Sequence, residues 1–431
     1  MKKLAAACVL ALALPAVASA HATLVSETPQ YQQRLDIAPP RIVLHFDESV
    51  DLPAIQVRTG KGLLVSGPAQ LVPGTRNVVA PLRRLPTGAY TVRWHALSAD
   101  GHTVSGVYTF GVRVEPPAPT EAYGAQGPTR AEHVVRWVYF LALSLLIGGL
   151  GFRLLVLRRP LPPRAERRFY LVTGVGVVAV LEAGIVAFLL RAEGALQLPF
   201  GELLYGDLSP LANGTRLGRA FVAMTLGYAL VAALLYLAWL TDRPALLWPA
   251  FAVAIGFASG LSLSGHSAVD AGASWLSQLA DWVHLSAAAL WLGGLVQLVL
   301  VVFPTAPELR KEAFLRFARL APVLIALLAA AGVYLSMLRL PHFSDLWQES
   351  YGRVLLLKLT LVWLALTWGA FHHFVVTPLL ERAGGVSWLP RSLAGEAALG
   401  TAILLVAAVL VDSKPPAQPS APSETTIVAR R

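Results

Sequence analysis

The sequence predicts an N-terminal all-β Greek-key sandwich followed by an all-α polytopic membrane bundle of about eight transmembrane helices. Three observations lead there. Short alternating apolar/polar runs separated by Pro/Gly turns fill the first third of the chain. Long apolar runs follow one another from about Val134 onward. The composition is 55% hydrophobic and only 14% charged, far below the roughly 25% charged of a soluble domain, so lipid must solvate much of the chain.

The first element is a signal peptide, residues 1–20. Lys2 and Lys3 form a basic start, Leu4 to Leu14 an apolar core too short to span a bilayer, and Ala18-Ser19-Ala20 a small-x-small cleavage site. Cleavage after Ala20 would make His21 the N-terminal residue. Cys8, the one cysteine, falls within this segment, so disulfides, thiolate metal sites and CxxC redox chemistry are excluded for the mature chain.

Residues 21–115 form the sandwich. Arg41-Ile42-Val43-Leu44-His45-Phe46, Ile55-Gln56-Val57 and Tyr90-Thr91-Val92-Arg93-Trp94 alternate with period two, and Val104 to Val114 is rich in Val, Tyr, Thr and Phe. Turns such as Leu85-Pro86-Thr87-Gly88 separate them, the pattern of an antiparallel β-sandwich. Residues 116–131, with Pro116-Pro117-Ala118-Pro119 and Gly127-Pro128, read as an extended linker.

An N-terminal His offers one metal two nitrogens, the α-amino group and the ring. Tetragonal nitrogen/oxygen ligation of this kind favours copper(II). Asp100-Gly101-His102 adds a carboxylate and an imidazole two residues apart, on one face of a strand. At these residues the sequence resembles the copper-resistance CopC family: the opening His21-Ala22, the strand Leu44-His45-Phe46-Asp47-Glu48, and the segment Ser98-Ala99-Asp100-Gly101-His102-Thr103-Val104-Ser105-Gly106. The resemblance implies a His-brace copper(II) site with His21, Asp100 and His102 as ligands, and His45 as a half-buried strand residue. The methionine-rich loop of some members is missing. The mature chain has only Met224 and Met337, both in the membrane part, so copper(I) is expected, if anywhere, in the membrane domain.

That domain, residues 132–412, holds eight apolar runs near spanning length: Val134–Leu157, Tyr170–Leu190, Ala220–Leu240, Ala245–Leu263, Trp282–Phe303, Leu320–Leu340, Val354–Phe374 and Leu393–Val411. Residues 413–431 read as a disordered tail. Arg158, Arg159, Arg164, Arg167 and Arg168, and later Arg310, Lys311, Arg316 and Arg319, mark cytoplasmic loops, whereas Ser264 to Gln278 lacks Lys and Arg. The segment around Arg216 and Arg219 is the exception. The sandwich is thereby expected in the bacterial periplasm and the bundle in the inner membrane. Arginines placed for topology also account for the net charge of +10 without nucleic acid as a partner.

Ionisable residues at membrane depth are functional candidates. Glu182, His266, Asp281, His284 and His133 are the expected copper relay, with Asp281 and His284 on one helical face. Lys358 and Glu396 are also intramembrane, while His372 and His373 read as interfacial. Gly265-His266, Trp282-Val283-His284-Leu285, Trp291-Leu292-Gly293-Gly294, Tyr351-Gly352-Arg353 before Lys358, and Glu396 followed by Gly400 resemble the copper-resistance CopD family. Together the resemblances imply a non-enzymatic protein that captures periplasmic copper(II) and moves copper across the inner membrane, in the direction of uptake. Its partners would be copper ions, membrane lipid and other periplasmic copper proteins. No Gly-x-x-x-x-Gly-Lys-Ser/Thr loop is present, and the loops are too short for a P-type pump. Two alternatives stand beside this reading: a haem- or redox-active membrane protein that reduces copper, and a His-brace copper oxygenase.

Overall fold

A computed structural model describes residue 22 and residues 24–98, 103–117, 129–196, 208–264, 274–340, 342–383, 386–411 and 413. The expected signal peptide, most of the linker and most of the tail lie outside these residues.

The N-terminal part is a sandwich of eight strands: β1 (Leu24–Thr28), β2 (Arg34–Leu35), β3 (Arg41–Phe46), β4 (Val50–Thr59), β5 (Gln70–Leu71), β6 (Asn77–Pro81), β7 (Gly88–Ser98) and β8 (Thr103–Val112). They form two four-stranded sheets, ordered β1-β3-β6-β5 and β2-β8-β7-β4. Pairing is antiparallel as expected, except that the two-residue β2 runs parallel to β8. Period-two alternation builds the core. Ile42, Leu44 and Phe46 of β3 and Val92, Trp94 and Ala96 of β7 all turn inward. The Phe46 and Trp94 rings meet edge to face, with centroids 5.4 Å apart. Opposite Trp94 in the register is Gly106, where any Cβ would overlap the indole.

Eight helices are long and apolar enough to cross a membrane: α1 (Arg130–Val156), α2 (Pro163–Glu193), α3 (Gly218–Thr241), α4 (Pro244–Leu261), α5 (Trp275–Thr305), α6 (Pro307–Arg339), α7 (Ser350–Arg382) and α8 (Leu389–Val411). Each overlaps one predicted run. Several continue into charged ends such as Arg164 and Arg310, because helix propensity does not stop where hydropathy does.

α1 and α5 are the most buried of the eight, and they cross backbone to backbone. A Cβ on Gly148 would strike the Ala289 carbonyl and the Gly293 Cα; one on Gly293 would strike the Ser144 carbonyl and the Gly148 Cα. Small residues permit this approach between helices in lipid. The contact is reciprocal, as at a twofold axis, and the sequence explains why. Trp137, Gly148-Gly149-Leu150, Pro162 and Phe169 recur at one constant interval as Trp282, Gly293-Gly294-Leu295, Pro307 and Phe314. Gly218-Arg219 and Gly352-Arg353 likewise open α3 and α7. Each of those glycines sits on a carbonyl of the short helix before it, Leu211 in Ser209–Gly214 and Asp345 in Asp345–Gln348. The Trp137 indole donates to the Thr401 carbonyl of α8 (3.1 Å), and the Trp282 indole to the Ile255 carbonyl of α4 (2.8 Å). The membrane domain is therefore one four-helix unit used twice in the same orientation.

The sandwich rests on the first of these halves. Leu97 points away from the sandwich core yet is 1% exposed, because Phe188, Ala192 and Leu211 cover it. Leu52 joins this cluster from a bulge in β4, at a left-handed φ of 45°; bulges re-aim side chains in this way. His95 shares the outer face of β7 with Leu97, and burial lowers its pKa below the usual histidine value.

Two outcomes follow. Gly293→Leu should force α1 and α5 apart at a cost of about 3 kcal/mol or more, read as a lower thermal midpoint of the detergent-solubilised chain. Because His95 is held neutral, the unfolded chain takes up a proton before the folded one does. Stability should accordingly fall as pH drops below about 6.5, and His95→Gln should flatten that part of the pH–stability curve.

Candidate functional site

The sequence-predicted ligands His21, Asp100 and His102 lie outside the described residues, as does His266. The residues bonded to them in the chain are described. Ala22, which follows His21, is buried, and its amide donates to the Ser98 hydroxyl oxygen at 3.3 Å. Ser98, 1% exposed, in turn donates to the Glu48 carboxylate. The β7–β8 ladder ends on the pair Leu97 and Thr103. Ala22, Ser98 and Thr103, the described residues next to the expected ligands in the chain, thus meet at one end of the sandwich. It is the end that Leu97 seats on the membrane domain.

His45 is exposed rather than half-buried. Its neighbours Leu44 and Phe46 take the inward positions, which leaves His45 on the outer face with Nδ1 2.7 Å from Asn77 Oδ1.

In the membrane domain, Asp281 and His284 on α5 are half-buried. His284 Nδ1 is 3.1 Å from the Leu328 carbonyl of α6, and Gly332 lets the ring lie against that helix. Lys358 of α7 is within electrostatic reach of both Asp281 and His284. Three of the intramembrane candidates are thus gathered from α5 and α7. Glu182 is exposed on α2, and His133 sits in the first turn of α1. Among the described residues no group of three or more His, Cys, Asp and Glu stands close enough to hold a metal. A cavity of about 150 Å³ between α1, α2, α3 and α4 is lined by Glu132, Arg136, Tyr139, Arg191 and Met224 among others.

His372 was expected at the interface and is instead in the interior, 5% exposed. Helical period puts it on the inward face of α7 with Ala365 and Val376, while His373, 100° further round, is exposed. Its Nδ1 is 2.7 Å from Glu396 Oε2 and its Nε2 2.8 Å from Ser392 Oγ, which also accepts from the Trp368 indole at 3.0 Å. Glu396 is 3% exposed. Each helix announces its share at i, i+4: Trp368 with His372, and Ser392 with Glu396. That signal identifies a polar stripe on each span but not which stripes meet.

Comparison with known proteins agrees with the resemblance seen in the sequence. The family profile for the CopC domain matches residues 24–113, that for "Copper resistance protein D-like, N-terminal domain" residues 131–276, and that for "Copper resistance protein D" residues 311–410. Copper transport protein CutJ of Bacillus subtilis (strain 168) is 27% identical over 441 residues, spanning 94% of this chain and 76% of that one. Copper resistance protein C of Escherichia coli is 36% identical over 107 residues, 22% of this chain and 84% of that one. The crystal structure of CopC from Methylosinus trichosporium OB3b matches at 28% identity and a TM-score of 0.21, over 23% of this chain and 100% of that one. The chain belongs to the copper transport and resistance family, with a CopC domain and copper resistance protein D modules joined in one polypeptide.

Proposed function

We propose that the sandwich captures copper(II) through a brace formed by the His21 α-amino group and ring together with Asp100 and His102, and that copper then passes into the membrane domain. The observation that carries this reading is the bond from Ala22 to Ser98. Consecutive Cα atoms are about 3.8 Å apart, so the Ala22–Ser98 bond leaves His21, Asp100 and His102 on short tethers from one end of the sandwich, which supports a shared site. Imidazole, amine and carboxylate donors suit copper(II) over softer ions.

The docking of Leu52 and Leu97 on α2 keeps this end of the sandwich against the bundle, which supports transfer between the two parts over release to solvent. Within the bundle, Asp281 and His284 offer a carboxylate and an imidazole at the end of α5 nearer His266, and they are the relay residues on which this reading rests. His133, at the start of α1, and Glu182, on the outside of α2, would act outside that cluster. Arginine-rich loops on the cytoplasmic side support a periplasmic sandwich and a bundle in the bacterial inner membrane; uptake is the direction that the family resemblance implies.

The decisive measurement is electron paramagnetic resonance of the full-length, detergent-solubilised chain titrated with copper(II). The processed protein should show a type-2 nitrogen/oxygen signal. One extra residue ahead of His21 should remove the amine donor and weaken binding on the order of a hundredfold, about 2.7 kcal/mol. An unchanged signal would rule out the brace. Ser98→Ala should leave the buried Ala22 amide without a partner, costing about 1–3 kcal/mol. Copper(II) affinity should fall in step, because His21 is no longer held in place.

A further inference from the structure

Because α1–α4 and α5–α8 repeat one unit, each half is a packing control for the other. Counted from Gly218-Arg219 and Gly352-Arg353, two buried positions of α3 are buried again in α7: Val231 with Ala365, and Ala238 with His372. In α4 the buried residues Leu247, Ala254 and Ala258 have the spacing of Leu389, Glu396 and Gly400 in α8. Where the first half closes with Ala238 and Ala254, each 0% exposed, the second buries His372 and Glu396. The four-helix scaffold packs without polar groups at these places. In the second half they are present, fully paired and buried, at the inherent cost of taking a carboxylate out of water.

We propose that His372 and Glu396 together hold one exchangeable proton inside the membrane domain, and that this proton is given up as copper crosses. The second clause rests on the transport reading above; the first stands without it.

Without the proton the pair is imidazole and carboxylate, net charge −1. With it the pair is neutral, as imidazolium and carboxylate or as imidazole and carboxylic acid, and the proton is shared between the two groups. The surroundings serve both states without moving a heavy atom. Ser392 Oγ accepts from the Trp368 N–H and keeps its own hydrogen to donate to an unprotonated Nε2. When Nε2 carries the proton, the hydroxyl rotates and accepts instead. Nδ1 stays paired with Glu396 in each state, donating to the carboxylate or accepting from the carboxylic acid. A cation entering the domain is offset by the proton leaving the pair for water.

A metal would need more donors than these two, which face each other, and among the described residues no third His, Cys, Asp or Glu completes a set. His372 also opens a π-helical turn, His372–Val376, a feature concentrated at functional positions; α3 stays α-helical through Ala238.

The Phe314 ring of α6 stands edge-on to His372 at 6.2 Å. At the His372 end of the surrounding helices the charged or titratable groups are Arg153 of α1, Arg310, Lys311, Glu312, Arg316 and Arg319 of α6, His373, Glu381 and Arg382 of α7 and Arg391 of α8. The bonds of Lys311, Glu312 and Arg316 run to one another, to Arg159 or to main-chain carbonyls. α5 brings only Asp281 and His284, at its opposite end.

The test uses the full chain in phosphatidylethanolamine/phosphatidylglycerol vesicles. Infrared difference spectra from acid to alkaline pH should contain carboxyl or imidazole bands that Glu396→Gln and His372→Gln each remove or shift. The double variant His372→Ala/Glu396→Ala writes the first half's alanines into the second, so it should fold with a thermal midpoint close to that of the unaltered chain and lack those bands. With a pH dye trapped inside, added copper should drive proton movement in the unaltered chain. The double variant should lose at least tenfold of it while keeping the copper(II) resonance of the sandwich. Spectra indifferent to all three variants overturn the proton site. Proton movement within twofold in the folded double variant overturns its coupling to copper. If the unaltered chain admits no copper, the transport reading and the coupling fail together, and the infrared bands alone decide the proton site.

Discussion

Gly148 and Gly293 let α1 and α5 touch main chain to main chain, and the rest of the membrane domain is arranged around that contact. In lipid there is no hydrophobic drive to bring helices together, so close packing of small residues carries the association. The crossing sets the relation between the two four-helix halves. It places α8 against α1 through the Trp137–Thr401 bond and α4 against α5 through the Trp282–Ile255 bond. Gly400, where a Cβ would strike Leu292 and Trp291, brings α8 onto α5. The inner position of α8 is what buries Glu396 deep enough to require His372 as a partner.

The sandwich is oriented by a second, smaller constraint. Its own core is complete without Leu52 and Leu97, since inward positions are filled by Ile42, Phe46, Val92 and Trp94. Two leucines left on outer positions would be costly in water, and they are covered by Phe188 and Ala192 instead. The Ala22–Ser98–Glu48 chain of hydrogen bonds lies at the same end. The end of the sandwich next to the expected ligands is therefore held against the membrane domain by apolar burial on one side of β7, with hydrogen bonding at its terminus.

Periodicity made most of the architecture readable. The inward residues of β3 and β7 and the eight spans follow from period two and from length, because a pleated strand and a bilayer each impose a fixed repeat. Resemblance carried the rest of the identification, with His21-Ala22 and Asp100-Gly101-His102 as its anchors. Two readings failed for a common reason. His45 was placed half-buried and is exposed; His372 was placed at the interface and is buried. Each lies beside a residue of opposite orientation, Phe46 or His373, and one position along the chain reverses a strand side chain or turns a helical one by 100°. The duplication is also written in the sequence, at Trp137/Trp282 and Gly148/Gly293, but so sparsely that the reciprocal glycine contact is what makes it evident.

The sequence by itself determined the two-part architecture, the number of spans and the family, all of which depend on local composition or on short contiguous motifs. Tertiary structure decided which intramembrane polar groups share a place. Lys358 of α7 comes within electrostatic reach of Asp281 and His284 of α5, while His372 meets Glu396 across α7 and α8. Those pairings depend on how each helix is rotated about its axis and which neighbour it faces. In a lipid-solvated bundle both are fixed by interhelical packing, at Gly148, Gly293 and Gly400, between residues far apart in the chain.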